Sequence, residues 1–427
     1  MAPQARLKAL QSKSSAQGRR RRNQRRKPLV VGRNSPKPAA ASRFAIDADT
    51  ELHCRRPPFM QFASRYNPFM SRPSRLQLDF IDGLRAIAAL YILFHHALQS
   101  TGYFPPALHF MGRGHDVVAI FITISGFCLA LPLAQRGNWN LEATRFYRKR
   151  MRRILPPYFA AIGVALLVAA FYSYKSHPQD YLGNPLSWSM IVSHLLLVQN
   201  WIPSQLTTLD GPLWTIAVEC QIYVLFPLLV LLWRYGGRWL TLAVGFVVAH
   251  GVFYATHYGG NSNFLFLFVV GMLGAELAFS HQLRRWLGPA TLLTVVAYLL
   301  FIQRPGSSFV IADILVALSA AFLMAYLTQH RDHWGNKVLG AKPLAWIGTF
   351  SYSLYLVHSF PEVIVERWIL ASKGGIFADS NRNAAILMIF VVSPLAIAAS
   401  YGFHLVFERP FLTQKRKETE QRLAARV

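Results

Sequence analysis

Acidic residues are scarce in this chain: 19 Asp and Glu stand among 427 residues, against 45 Lys and Arg, for a formal net charge of +26. Charge of either sign is also sparse, at 15% of residues, while 53% are hydrophobic. Three cysteines, Cys54, Cys128 and Cys220, are too few for a disulfide framework, and their spacing suggests no metal site. No apolar run follows the basic N-terminal block closely enough to form a cleavable secretory signal. No internal repeat or inverted pair of broken helices points to a transporter fold. A soluble domain of extreme pI is excluded by the long apolar runs, and the charges are confined to a few blocks between them. That pattern is a polytopic membrane protein. The basic excess then reflects Lys and Arg gathered on cytoplasmic loops rather than a nucleic-acid surface, so no nucleic-acid partner is expected.

Residues 1–58 hold fifteen Lys and Arg against three acids and few apolar residues, which predicts disorder. A solvated cytoplasmic tail touching anionic lipid is the favoured reading. An Arg- and Ser-rich targeting peptide and a later start at Met60 or Met70 are the alternatives. The domain division is a basic tail over 1–74, a transmembrane domain over 75–412 and a cytoplasmic C-terminal tail over 413–427. The fold class is all-α, a transmembrane bundle of about ten spanning helices. Spans are predicted at about 78–99, 115–134, 155–173, 213–233, 239–258, 263–280, 289–303, 308–328, 344–369 and 384–407. The apolar stretch 187–201 is short and is expected to be re-entrant or interfacial. Basic clusters before the first span, between the second and third, and at 234–238, 284–285, 331–337 and 415–417 fall on one side. Both termini are therefore expected in the cytoplasm, with the chain in the cytoplasmic membrane.

The first span, LDFIDGLRAIAALYILFHHALQ, is apolar in its middle but carries Arg85, His95 and His96. Ionisable groups inside a span usually mark a pathway or a reacting site. Arg85 and His96 are eleven positions apart, close to three turns, so they share a face and lie about 16 Å apart along the axis. Glu219 falls about a turn and a half below the outer end of the fourth span, at a depth like that of His96. An imidazole and a carboxylate so placed suit a general base and an orienting or charge-stabilising partner, with a pair of satisfied buried polar groups as the bland alternative.

Other residues carry weaker signals. Ser125, in the second span, reads first as a small packing residue and only second as a nucleophile, though it can also line a channel. Asp116 begins that span and is a second candidate acid. Arg148, Arg150, Arg152 and Arg153 precede Pro156-Pro157 at the cytoplasmic start of the third span; they suit a phosphorylated ligand as well as a topological anchor. Ser351, Tyr355 and His358 share a stripe, with His358 either a satisfied core histidine or a substrate contact. Glu408 is expected to pair with a basic residue in a structural role.

Taken together the motifs resemble the acyltransferase family 3 membrane proteins over residues 78–411. The Arg-x10-His pair falls on Arg85 and His96, the FF-x-x-SGF segment on 121–127, and the Arg-rich I-x-P-x-Y segment on 150–158. P-L-W-[ST]-x-x-x-E falls on Pro212 to Glu219, S-Y-x-x-Y-L-x-H on 351–358, and ERPF on 408–411. Ile122 stands where that pattern has a second aromatic, and the basic tail has no counterpart in the family core. The resemblance implies an O-acyltransferase with acyl-CoA as co-substrate, no resident cofactor, and a hydroxyl-bearing glycan or glycoside as acceptor within a lipid environment. It implies donor phosphates on the cytoplasmic arginines, a thioester presented past Arg85, and His96 as base. A small-molecule transporter or flippase without acyl transfer is the alternative.

Overall fold

The computed structural model describes residues 78–173, 186–256, 263–371 and 381–424. The predicted basic tail and Cys54 lie outside them. The described residues are helical, with no strand among them. In chain order the helices are α1 (Asp79–Thr101), α2 (Gly114–Gln135), α3 (Ala143–Ser173), α4 (Trp188–Leu195) and α5 (Leu213–Thr256). Then come α6 (Phe264–Leu277), α7 (Arg284–Ile302), α8 (Phe309–Gln329), α9 (Trp334–Leu339), α10 (Lys342–Thr349), α11 (Ser351–Val357), α12 (Ser359–Ala371), α13 (Asn381–Leu387), α14 (Ser393–Phe403) and α15 (Gln414–Ala424).

Seven helices are long and apolar enough to cross a membrane, against the ten spans expected. The difference arises in three places. Stretches 213–233 and 239–258 run together as α5, across a kink at Gly237, whose φ of 78° only glycine adopts readily. Stretch 263–280 forms the shorter α6, of 14 residues. Stretch 344–369 is divided into α10, α11 and α12, with Phe350 and His358 at the breaks. Segment 187–201 is too short to span, as expected: α4 has 8 residues, capped by the Ser187 hydroxyl on the Met190 N–H.

Small residues let the central helices touch. A Cβ on Gly126 would stand 2.1 Å from the Phe268 carbonyl oxygen, and one on Gly271 would stand 2.1 Å from that of Thr123. The α2 and α6 backbones are therefore in contact, the arrangement that membrane helices use where apolar side chains gain nothing from leaving lipid. Around this pair, Phe127, Phe226, Phe264 and Phe268 are fully buried. At the periphery α7 exposes Leu292, Leu293, Leu299 and Leu300, a face that suits contact with lipid chains.

The C-terminal tail has structure of its own. Two π-helical turns flank α14, and the second, His404–Glu408, aims both of its end residues inward. Glu408 accepts from the Ser353 hydroxyl at 2.6 Å and lies 2.8 Å from His404 Nδ1. His404 Nε2 and Arg409 Nε in turn approach Glu420 of α15, at 3.3 and 3.4 Å. The basic partner expected for Glu408 is thus a histidine, and α15 is tied to the bundle through a buried glutamate.

Candidate active site

A cavity of about 100 Å³ lies among α1, α2, α3, α5 and α11. Helical phase explains who reaches it. On α5, Thr215, Glu219 and Tyr223 are spaced four apart and form one stripe, and all three line it. On α3, Arg150 and Arg153 are three apart and line it, whereas Arg148 and Arg152 are on other faces and exposed. Arg85 enters from α1, Phe121, Ile122 and Ser125 from α2, and Ser351, Tyr352 and Tyr355 from α11.

Three oxygens converge at its wall. Ser125 donates its hydroxyl to Glu219 Oε1 at 2.6 Å, and Tyr223 donates to the same oxygen. The Ser125 and Tyr223 hydroxyls are themselves 2.5 Å apart. The Arg150 guanidinium lies over the Tyr223 ring, 5.7 Å from its centroid, so a cation covers the carboxylate's partner. Arg85 is 3.6 Å from Asp82 on its own helix, which steadies it in position. The Thr215 hydroxyl donates to the Tyr355 hydroxyl oxygen at 2.8 Å, and Tyr355 packs edge-on against Phe121. The lining therefore combines guanidinium groups that suit an anion with hydroxyls fixed by a carboxylate.

His96 does not line this cavity. Its ring stacks on that of His358, with centroids 5.4 Å apart, and its Nδ1 is 3.1 Å from Gln99 Oε1. The His358 ring lies 6.1 Å from that of Tyr355, so one aromatic residue separates the imidazole pair from the cavity. Nδ1 of His358 bonds back to the carbonyls of Leu354 and Tyr355, while its Nε2 is buried with no hydrogen-bond partner. His95 points elsewhere: its Nδ1 faces the Met111 carbonyl at 2.6 Å, and its ring lies against Gly114.

The sequence-derived residues thus fall into three groups. Arg85, Ser125, Arg150, Arg153, Glu219 and Tyr355 meet at the cavity. His96 and His358 meet each other beside it. Asp116 lies apart, held by Arg113 and Tyr298, and Arg148 and Arg152 are exposed. Glu219, expected as an orienting or charge-stabilising partner that holds the imidazole or the acceptor, accepts from hydroxyls. Tyr223 went unnoticed in the sequence although a signal was there, four residues after Glu219 and on its face. Thr215, four residues before, completes the same stripe.

Residues 78–405 match a family described as an acyltransferase domain. Among curated proteins the chain is similar to the peptidoglycan O-acetyltransferase OatA of Listeria monocytogenes, 25% identical over 333 residues, covering 67% of this chain and 50% of the relative. It is similar to the acyltransferase MdmB of Streptomyces mycarofaciens, 25% identical over 369 residues, covering 79% and 92%. An O-acetyltransferase OatA of Staphylococcus aureus is 24% identical over 323 residues, covering 67% and 51%. The chain spans about half the length of the two OatA relatives and most of MdmB. No solved structure gives a significant match.

Proposed function

The chain belongs to the acyltransferase-domain family matched by residues 78–405, and from that premise we propose that it moves an acetyl group from acyl-CoA to a hydroxyl of a glycan, lipid-linked sugar or small glycoside. One observation carries the reading: an arginine-lined cavity in which two hydroxyls converge on a single carboxylate oxygen. Arg150 and Arg153 bind donor phosphate, with the exposed Arg148 and Arg152 drawing the polyanion in. Arg85 steadies the acyl end. A cavity of about 100 Å³ has room for an acetyl thioester.

The acceptor oxygen attacks the thioester carbonyl while His96, paired with His358, takes its proton. The tetrahedral intermediate then collapses, the carbon–sulfur bond breaks, and CoA leaves as thiolate to be protonated. Glu219 holds the Ser125 and Tyr223 hydroxyls at the cavity wall; each has a single hydrogen, so the one that turns from the carboxylate to the developing oxyanion becomes its donor. The charge pattern supports a chain in the cytoplasmic membrane with both termini inside, donor supplied from the cytoplasm and acceptor from the outer side. The kinked α5, the short α6 and the divided α10–α12 complete about ten crossings in this reading.

Vesicles of defined orientation test it. Acyl-CoA supplied at the cytoplasmic face alone, with a glycoside acceptor, should yield product carrying an added acetyl mass by mass spectrometry. Uptake of acceptor without consumption of acyl-CoA would establish the transporter reading instead.

A further inference from the structure

Away from the cavity, the N-terminal ends of α2, α6 and α8 bring together a set of donors that acyl transfer does not use. His115 and Asp116 open α2, Asp313 lies in the first turns of α8, and Asn263 immediately precedes α6. One ligand atom from each of His115, Asp116 and Asp313 lies within 4.8 Å of the others. One pair, His115 Nδ1 and Asp313 Oδ1, is 3.1 Å apart, the separation of adjacent ligands on an ion bound at about 2.0–2.2 Å. We propose that this cluster is a divalent transition-metal site of the zinc or manganese type, formed by His115, Asp116 and Asp313 with the Asn263 amide oxygen as a further ligand.

Independent observations point to a ligand there. Asp116 is 2% exposed, yet its Oδ1 has no hydrogen-bond partner, while both of its described contacts are on the other oxygen. Arg113 and Tyr298 both hold Oδ2, which leaves Oδ1 available to an ion. That is how a monodentate carboxylate ligand is oriented, with its second oxygen fixed by an outer partner. Asn263 is 3% exposed and hydrogen-bonds the Asp313 carboxyl, and its own Oδ1 is likewise buried without a partner. Two orphaned buried oxygens at one carboxylate–imidazole cluster are costly unless a ligand satisfies both. The donor set, one imidazole with carboxylate and amide oxygens, suits zinc or manganese better than calcium, which prefers oxygen throughout. Rings of Phe264 and Phe309 lie 5.6 and 5.7 Å from His115 and exclude water from that side.

Such an ion would tie three helices together. Ser125 is nine residues along α2 from Asp116, about 13.5 Å by helix rise, so the ion would position the helix that carries Ser125 to Glu219 without touching substrate. The segment before α2 is also joined to α1, through the Arg113 N–H on the Tyr91 hydroxyl at 3.3 Å and His95 on the Met111 carbonyl.

The test uses the full chain purified in detergent, free of any affinity tag, stripped with chelator and desalted. Zn²⁺ and Mn²⁺ are titrated separately, with Ca²⁺ as a control, reading bound metal per protein by elemental mass spectrometry and thermal stability in parallel. One equivalent of Zn²⁺ or Mn²⁺ with a raised Tm is expected, with Ca²⁺ weaker. Asp313→Asn should abolish retention. Tyr298→Phe, which leaves every ligand in place, should weaken affinity by about 10–100-fold. Wild-type protein that retains neither ion, or retains it equally in Asp313→Asn, overturns the proposal and leaves an ion-pair network held by Arg113.

Discussion

Replacing Tyr223 by Phe removes one hydroxyl and leaves the ring where it is. The ring packs edge-on against Phe146 and Phe268, both at 6.3 Å, and under the Arg150 guanidinium, none of which needs the oxygen. Glu219 keeps its hydrogen bond from Ser125 at 2.6 Å. The stability loss is therefore that of one hydrogen bond to a buried carboxylate, about 1.5–3 kcal/mol, and the fold should survive it. If the Tyr223 hydrogen turns from Glu219 to the oxyanion in the transition state, turnover falls further, by about 10²–10³-fold, the loss seen when one oxyanion donor is removed. The assay is release of CoA thiol by purified protein with acceptor present, with KM and kcat separated. The KM for acyl-CoA should change little, because the arginines proposed to bind its phosphates are untouched. A kcat within about threefold of wild type, alongside a lowered Tm, would leave Tyr223 a structural partner of Glu219 and refute the assignment.

Three further outcomes follow from the geometry. Arg150→Gln with Arg153→Gln should raise the KM for acyl-CoA at least about tenfold, through loss of charge-assisted phosphate contacts, while Arg148→Gln with Arg152→Gln should give a smaller rise that disappears at high salt; equal effects of the two pairs would contradict the cavity assignment. His96→Ala should lower turnover by about 10²–10⁴-fold with normal insertion, whereas His95→Ala should mainly lower Tm by freeing the Met111 loop, and the reverse result in a kinetic and melting comparison would reassign the base. Gly126→Ala places a Cβ 2.1 Å from the Phe268 carbonyl oxygen, so it should destabilise by about 1–3 kcal/mol or more in a detergent melt, and an unchanged Tm would mean that α2 and α6 separate freely.

What the sequence made legible were properties of single helices. Arg85 and His96 were placed on one face by an eleven-residue interval, and α1 is continuous from Asp79 to Thr101 as that interval requires. The division of the arginine block was within reach for the same reason: positions 150 and 153 share a face that 148 and 152 do not, but charge alone weighted all four equally. Helix phase would likewise have found Tyr223 from Glu219. Contacts between distant segments were another matter. Ser125 and Glu219 are 94 residues apart, and no local pattern announces that α2 and α5 bring them within hydrogen-bonding distance. The same holds for Asp116 and Tyr298, 182 residues apart. Seven long apolar helices stand against about ten predicted spans: the kink at Gly237 falls inside the 234–238 interval that separated two of those spans, while the divisions at Phe350 and His358 have no counterpart in hydropathy.

His358 brings two chemical groups together. Its dihedrals are helical and its N–H bonds the Leu354 carbonyl at 3.2 Å, so α11 passes into α12 there, and Nδ1 of the ring bonds back to the carbonyls of Leu354 and Tyr355. With that nitrogen committed, the ring is fixed in orientation and lies flat on His96. The cavity keeps the arginines and hydroxyls of the proposed donor site, and the imidazoles are set one residue outside it. A base placed so can take a proton from an acceptor arriving by a different path. On this geometry Tyr355, which contacts Thr215, Phe121 and His358 at once, is the residue across which donor and acceptor would have to meet.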